Sequence, residues 1–286
     1  MNCISIFQHY KTLTNELQPI YGKNEATAMA RLIIERVTGD EITKIFANPD
    51  LILTPEQQSL VRYYLSQLKL QKPIQYILGT TNFFGIELQV NQNVLIPRPE
   101  TEELVSWIIE SNKIGSPSIL DLGAGSGCIA ISLAKHITHA HVFAIDISEK
   151  AIKVAQQNAA SAGVDITLAQ ANMLAPPAQI QGSPFDIIVS NPPYVRESEK
   201  QYMQPNVLNN EPSLALFVGD NDPLIFYEAI AKLAASNLKN NGLVYCEINE
   251  ALGEETASIF TTANFTDITI KNDINGKQRM IRARKG

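Results

Sequence analysis

Over the first eighty residues apolar positions recur at helical spacing between capping residues, which predicts a set of short helices. Asn24 opens one over 25–37, and Gly39 closes it. Thr54-Pro55-Glu56-Gln57 places an N-cap threonine, a proline at the first helical position and a glutamine at the third, the pattern of a capping box. The helix it opens runs to about Leu70 and is ended by Pro73. Leu60, Val61, Tyr64, Leu65 and Leu68 form its apolar stripe, expected in the core of a small bundle. Between 80 and 96 the period changes to two: Phe84, Ile86, Leu88 and Val90 alternate, Asn91-Gln92-Asn93 interrupt, and Val94-Leu95-Ile96 follow. This predicts a β-hairpin serving as a linker.

A helix over 101–110 comes next, after which strands and helices alternate. Apolar runs of strand length occur at 118–122, 141–147, 166–169, 185–190 and 243–248, with helical patterns between most of them, such as 149–162 closed by Gly163. Such alternation predicts a parallel sheet covered on both faces. The end differs: 265–271 and 278–284 flank Asn275-Gly276, an antiparallel hairpin with an expected type I′ turn. The expected organisation is a helical bundle over 1–79, a hairpin linker over 80–97 and an α/β domain over 98–286.

Composition narrows the functional classes. The 286 residues are 45% apolar and 18% charged, which excludes a largely disordered or repetitive chain. A net charge of −6 supplies no overall basic field, so a direct nucleic-acid partner is not expected. Cys3, Cys128 and Cys246 lie far apart without a C-x-x-C, giving neither a disulfide framework nor a zinc site. The N-terminus lacks the pattern of a signal peptide and no apolar run reaches 18 residues, so a cytoplasmic location without a membrane partner is expected.

The chemistry begins at Asp121-Leu122-Gly123-Ala124-Gly125-Ser126-Gly127-Cys128, a strand, a glycine turn and a helix start in succession. Glycines let the backbone turn sharply and approach a ligand closely. Gly125-x-Gly127-x-x-Ala130 also satisfies the looser dinucleotide fingerprint. Asp146, at the end of the next strand, suits the two hydroxyls of a ribose, which NAD and S-adenosylmethionine share. Acidic Asp121 before the turn fits the cationic methyl donor better than a pyrophosphate.

A second motif, Asn191-Pro192-Pro193-Tyr194, follows the buried strand at its carboxyl end, where open α/β sheets bind ligands. Two prolines fix φ and remove two N–H donors, leaving a stiff turn rich in acceptors. The Asn191 amide oxygen and the Pro192 carbonyl offer two acceptors to an –NH₂ group, and Tyr194 offers a flat face to a planar substrate. That arrangement fits methylation of a nitrogen conjugated to a π-system, held in line with the donor without a strong general base.

Asp-Leu-Gly-Ala-Gly-Ser-Gly (121–127), Asp146 and Asn-Pro-Pro-Tyr (191–194), in that order, resemble the class I S-adenosylmethionine-dependent methyltransferases that modify amino groups. Leu95-Ile96-Pro97-Arg98-Pro99-Glu100-Thr101-Glu102, Tyr76-Ile77-Leu78-Gly79, Phe83-Phe84-Gly85, Asn210-Glu211-Pro212-x-x-Ala215-Leu216 and Gly276-x-x-Arg279 look like the release factor glutamine methyltransferase (HemK/PrmC) family specifically. The resemblance spans nearly the whole chain. It implies a Rossmann-like class I methyltransferase sheet with a terminal antiparallel hairpin, preceded by a small N-terminal helical bundle that contacts the protein substrate. The implied reaction is methylation of the amide nitrogen (N5) of the glutamine in the Gly-Gly-Gln loop of peptide chain release factors 1 and 2. Carried over by motif, Gly123, Ala124, Gly125, Ser126 and Gly127 line the cofactor and Asp146 holds its ribose. Asn191, Pro192, Pro193 and Tyr194 clamp the glutamine; Asn191, Pro192 and Tyr194 are the catalytic candidates, and Asn191 also borders the cofactor. Where many members have Asp and an aromatic residue near the adenine, this chain has Asn172-Met173, an amide for the adenine amino group and a thioether for its face.

The rival readings are an adenine or guanine amino-methyltransferase acting on a flipped base, a binding module without turnover, and a nicotinamide oxidoreductase. His136, His139 and His141 straddle a helix end, a loop and a strand start without a carboxylate cluster, so no metal site is expected. Cys128 is expected to serve packing, Arg279, Arg282, Arg284 and Lys285 a solvated strand face, and Arg98 and Glu100 the substrate mouth or an ion pair.

Overall fold

The computed structural model describes residues 4–48, 50–176, 180 and 184–286, so Cys3 lies outside the described residues. The chain divides into two compact units, Met1–Gly79 with Pro205–Asn210, and Thr80–Gln204 with Glu211–Gly286. The first holds α1 (Ile6–Tyr21), α2 (Lys23–Thr38), α3 (Ile42–Ala47), α4 (Pro55–Lys69) and α5 (Ile74–Leu78). The α4 capping box is present: Gln57 N donates to Thr54 Oγ1 at 3.3 Å and Thr54 N to Gln57 Oε1 at 2.9 Å. α2 starts at Lys23, earlier than Asn24 suggests, because Gly22 at φ +77° breaks the chain straight after α1 and lets the next helix begin at once. Leu13, Leu17, Ile33, Ile34, Ile45 and Leu68 are fully buried in this bundle. Leu60, expected in the stripe, is 44% exposed, whereas Val61 and Leu68 carry the contact.

The second unit begins with the hairpin β1 (Thr80–Phe83) and β2 (Ile86–Gln89). Its turn is Phe84-Gly85, with φ +50° and +74°, a two-residue type I′ connection. Asn91-Gln92-Asn93 is therefore not the hairpin turn, and 94–96 form no strand. The hairpin is also no free linker. Phe83, Ile86 and Leu88 enter the core of the second unit, and Asn158 clamps Gln89 by accepting from its N–H (2.7 Å) and donating to its carbonyl (3.0 Å).

There follow α6 (Pro99–Ser111), β3 (Ser118–Leu122), α7 (Cys128–His136), β4 (His141–Asp146), α8 (Glu149–Ala162), β5 (Thr167–Gln170), β6 (Phe185–Ser190) and β7 (Val195–Arg196). The chain continues through α9 (Pro205–Leu208, in the first unit), α10 (Ser213–Leu216), β8 (Phe217–Val218), α11 (Ile225–Asn237), β9 (Leu238–Glu247), α12 (Gly253–Thr262), β10 (Phe265–Asn272) and β11 (Gln278–Lys285). The main sheet has the order β10-β11-β9-β6-β3-β4-β5, parallel from β9 to β5 and antiparallel at β11 and β10. Alternation along the strands gives two cores. Ile119, Ile187, Val189 and Tyr245 face one, and Leu120, Leu122, Ile188 and Cys246 the other. The chain runs β3-β4-β5 to one edge and returns through β6 to the other side of β3, so the topological switch lies between β3 and β6.

The terminal hairpin has a different turn from that expected. Gly276 N donates to Asp273 O at 2.9 Å and only Gly276 in the loop has positive φ, +79°. This is a type I turn followed by a left-handed glycine, held by the Asp273 carboxylate, which accepts the N–H groups of Asn275 (2.8 Å) and Lys277 (3.0 Å). No described helix is long and apolar enough to cross a membrane.

Candidate active site

The carboxyl ends of β3, β4, β5 and β6 open into a cavity of about 230 Å³. Gly123, Ala124, Gly125 and Ser126 line it, with Asp146 from β4 and Asn172 and Met173 after β5. The turn is held from below: Gly123 N and Ala124 N both donate to Ile145 O, at 2.9 and 2.8 Å. Asp146 closes it from the side, Oδ2 accepting from Gly125 N and Oδ1 from Ser148 N, each at 2.8 Å. Each oxygen keeps a further lone pair for an incoming hydroxyl. Burial pushes the Asp146 carboxyl up, and those two N–H groups oppose the rise. Asn172 Oδ1 accepts from Leu174 N at 2.9 Å, which fixes the amide and orients its NH₂ group.

All three glycines of the turn have positive φ, and two of them also lack room for a Cβ. A Cβ on Gly123, φ +87°, would stand 3.1 Å from Met173 Cε, in the space beside the cavity wall. A Cβ on Gly127, φ +82°, would stand 2.9 Å from Ile131 Cδ1 and 3.1 Å from Ala155 Cβ. Gly127 is thus a packing and N-cap position behind the turn and is not part of the cavity wall. Gly127→Ala is expected to lower the melting midpoint by about 5 °C, since a left-handed non-glycine residue costs roughly 1–3 kcal/mol. Scanning calorimetry of the free protein checks this; an unchanged midpoint would show that the helix start relaxes without strain.

At β6 the Asn-Pro-Pro-Tyr turn divides its residues between two environments. Asn191 and Pro193 line the cavity, whereas Pro192 and Tyr194 do not. The Tyr194 ring, read from sequence as a platform for the substrate, instead lies beneath Arg279, whose guanidinium carbon is 5.8 Å from the ring centroid. Its hydroxyl donates to Glu247 Oε1 at 2.7 Å, and its carbonyl accepts from Asn249 Nδ2 at 3.0 Å. Burial, followed by the Glu247 charge, holds the phenol well above its usual value. Arg279 is therefore no member of a solvated strand face. It bridges Asp273, Glu250 and the Ile248 carbonyl.

Sequence reasoning missed Glu247, Thr101, Glu211 and Phe226. Thr101, in the first turn of α6, donates to Glu247 Oε2 at 2.7 Å and accepts from Asn191 Nδ2 at 3.2 Å. Burial raises the Glu247 carboxyl, opposed by the Tyr194 and Thr101 hydroxyls and by Arg279. Arg98 lines the cavity, but its ion partner is Glu211 at 2.5 Å and not Glu100. The second oxygen of Glu211 accepts from Ile96 N at 3.1 Å, which ties the 93–98 segment to the wall formed by Pro212, Leu214 and Ala215. Phe226 completes the apolar lining.

Of the remaining candidates, Cys128 borders the cavity and the three histidines do not. Burial and the neighbouring Asp121 push the Cys128 thiol up to about 12, so it stays protonated at the start of α7. His136 caps its own helix through Ser132 O at 2.9 Å and stacks edge-on with Phe84. Among the described residues no group of three or more His, Cys, Asp or Glu side chains is placed to hold a metal ion.

Comparison with known proteins bears on the same two regions. Residues 101–216 match the methyltransferase small domain family, and residues 10–79 match the PrmC N-terminal domain family. A release factor glutamine methyltransferase of Flavobacterium psychrophilum is 50% identical, over 97% of this chain and 98% of that protein. Another of Bacteroides thetaiotaomicron is 41% identical, over 96% and 98%. A methyltransferase structure from Pyrococcus furiosus aligns with a TM-score of 0.53 at 15% identity, over 82% of this chain and all (100%) of that one, which bears on the fold alone.

Proposed function

The chain belongs to the release factor glutamine methyltransferase family, and from that premise we propose how its own residues carry out the reaction and on which substrates. It is an S-adenosylmethionine-dependent methyltransferase of class I fold that modifies a glutamine side-chain amide. The cavity residues fit that cofactor. Gly123 leaves open the space that a Cβ would fill, Asp146 keeps lone pairs for ribose hydroxyls, and Met173 and Leu174 give an apolar seat for the adenine beside the Asn172 amide. When bound, the cofactor supplies an electrophilic methyl group on a sulfonium.

The orientation of the Asn191 amide is the observation that carries the reading. Its NH₂ end is engaged by Thr101, so the Oδ1 end is left as an acceptor. Pro192 and Pro193 have no N–H to compete, and the Pro192 carbonyl supplies the second acceptor. Held by both N–H bonds, a primary amide presents its nitrogen face to the methyl, and alignment of this kind contributes several kcal/mol, against a ceiling of about 7–11 for proximity effects. With the cofactor bound, the carbon–nitrogen bond would form as the methyl–sulfur bond breaks and the amide proton would then pass to water, so no strong base is needed. The substrates are peptide chain release factors 1 and 2 at the glutamine of their Gly-Gly-Gln loop, met in the cytoplasm.

Transfer of labelled methyl from S-adenosylmethionine to a purified release factor tests this, beside a copy with the loop glutamine replaced and beside tRNA and DNA. Label is expected on the intact factor and absent from the replaced copy. Label on nucleic acid with none on the factor would overturn the proposal in favour of base methylation.

A further inference from the structure

We propose that Thr101 and the buried Glu247 are positioning residues whose hydrogen-bond polarity decides which end of the Asn191 amide faces the substrate. This deepens the reading of Asn191 as the substrate's amide acceptor and rests on it. Glu247 is the last residue of β9, 1% exposed, and Thr101 is 2% exposed. They converge on Asn191 from three elements: Glu247 shares the sheet face of Tyr245, Thr101 lies on α6, and Asn191 follows β6.

Both hydroxyls that meet the Glu247 carboxyl donate to it, one to each oxygen. Tyr194 OH donates to Oε1 and Thr101 Oγ1 to Oε2, each at 2.7 Å. A threonine hydroxyl has one proton, and with it turned to Glu247 the oxygen faces Asn191 with lone pairs only. The Asn191 Nδ2 group, 3.2 Å away, is the end of the amide that satisfies it. Oδ1 is thereby turned to the other side. With the acceptor at 247 removed, Thr101 regains a free proton, which meets Asn191 Oδ1 equally well after a half-turn of the amide. The amide would then present NH₂ to a substrate NH₂, two donors facing each other. The acceptor oxygens of Glu247 thus select substrate polarity at Asn191 without touching substrate themselves. Arg279 and the Tyr227 hydroxyl, which donates to the Glu247 carbonyl at 3.1 Å, hold the strand end that carries it.

The test uses the full-length protein with an intact release factor, after methyl transfer by the unmodified enzyme has been measured. Thr101→Val keeps the shape and removes the hydroxyl, Thr101→Ser keeps the hydroxyl and removes the methyl, and Glu247→Met keeps the length and removes the acceptor. Thr101→Val and Glu247→Met are expected to lower kcat about tenfold to thirtyfold, with the KM for the factor and the calorimetric Kd for S-adenosylmethionine within threefold. Thr101→Ser is expected within threefold of wild type. Retained kcat in Thr101→Val or in Glu247→Met overturns the proposal. So does a Thr101→Ser variant as slow as Thr101→Val, because the lost contact is then methyl packing. Melting curves accompany each variant, and if one of the two slow variants fails to fold, the other carries the decision. Absence of transfer by the unmodified enzyme would fail the proposed function itself, a different result from active enzyme indifferent to 101 and 247.

Discussion

Alanine in place of Asn191 is expected to lower kcat/KM for the release factor by about 10²–10³-fold, the loss seen when one preorganised polar contact or about 1 Å of alignment is removed from a reacting group. The side chain supplies one of two acceptors for the substrate amide, and its removal lets that amide rotate about the contact that remains. The fold does not depend on it: Asn191 lies after the strand, and the Ser190 hydroxyl before it keeps its own bond to Leu122 O at 2.6 Å. Cofactor affinity is expected to change by less than about tenfold, because Asp146 and the glycine turn are untouched. Steady-state methyl transfer together with calorimetric titration of S-adenosylmethionine separates these effects. An Asn191→Ala enzyme with undiminished turnover would remove the amide clamp from the mechanism and favour a module that binds without using this turn.

The parts of this site that can be read in the sequence are those whose chemistry is contiguous. Gly123 to Gly127 and Asn191 to Tyr194 each put turn-forming residues directly after an apolar strand, and Asp146 ends the next strand, so local rules suffice. Glu247 and Thr101 are joined across 146 residues, and only the parallel register of β6 with β9, Ser190 opposite Cys246, brings the first of them level with Asn191. One signal was available: Glu247 is the lone acid at the end of an apolar strand, and a buried carboxylate demands donors. What it did not contain was the identity of those donors. The hairpin at 80–89 shows another limit. Phe84 is a poor candidate for positive φ, so Asn91-Gln92-Asn93 outcompeted Phe84-Gly85 as the expected turn. Tertiary packing of Phe83 and Ile86 made the choice instead.

Asp121 carries the other large effect, and it runs against stability. Along β3 it shares the face of Ile119, so its carboxylate points into the apolar core formed with Ile129, Ala130 and Leu133. It is 0% exposed, and neither oxygen makes a full hydrogen bond. Burial raises its pKa from 3.8 to about 7; the Ala130 N–H opposes this and the Asp146 charge adds to it. The folded state therefore holds a proton that the unfolded chain releases between about pH 4 and 7, so stability falls as pH rises through that window. The full difference amounts to about 4 kcal/mol above pH 7. Asp121→Asn, similar in shape and uncharged, is expected to melt about 10 °C above wild type at pH 8 and within a few degrees of it near pH 5. The same substitution removes an anion directly beneath the glycine turn. When the cofactor is bound its sulfonium and ammonium groups are cationic, so the variant is expected to bind S-adenosylmethionine about tenfold more weakly at pH 8 while being the more stable protein. Melting curves at the two pH values and calorimetric Kd measurements at pH 8 read the two halves separately. Equal melting gains at both pH values would show that Asp121 is ionised alike in the folded and unfolded protein, with no raised pKa, and unchanged affinity would show that its charge does not reach the cofactor.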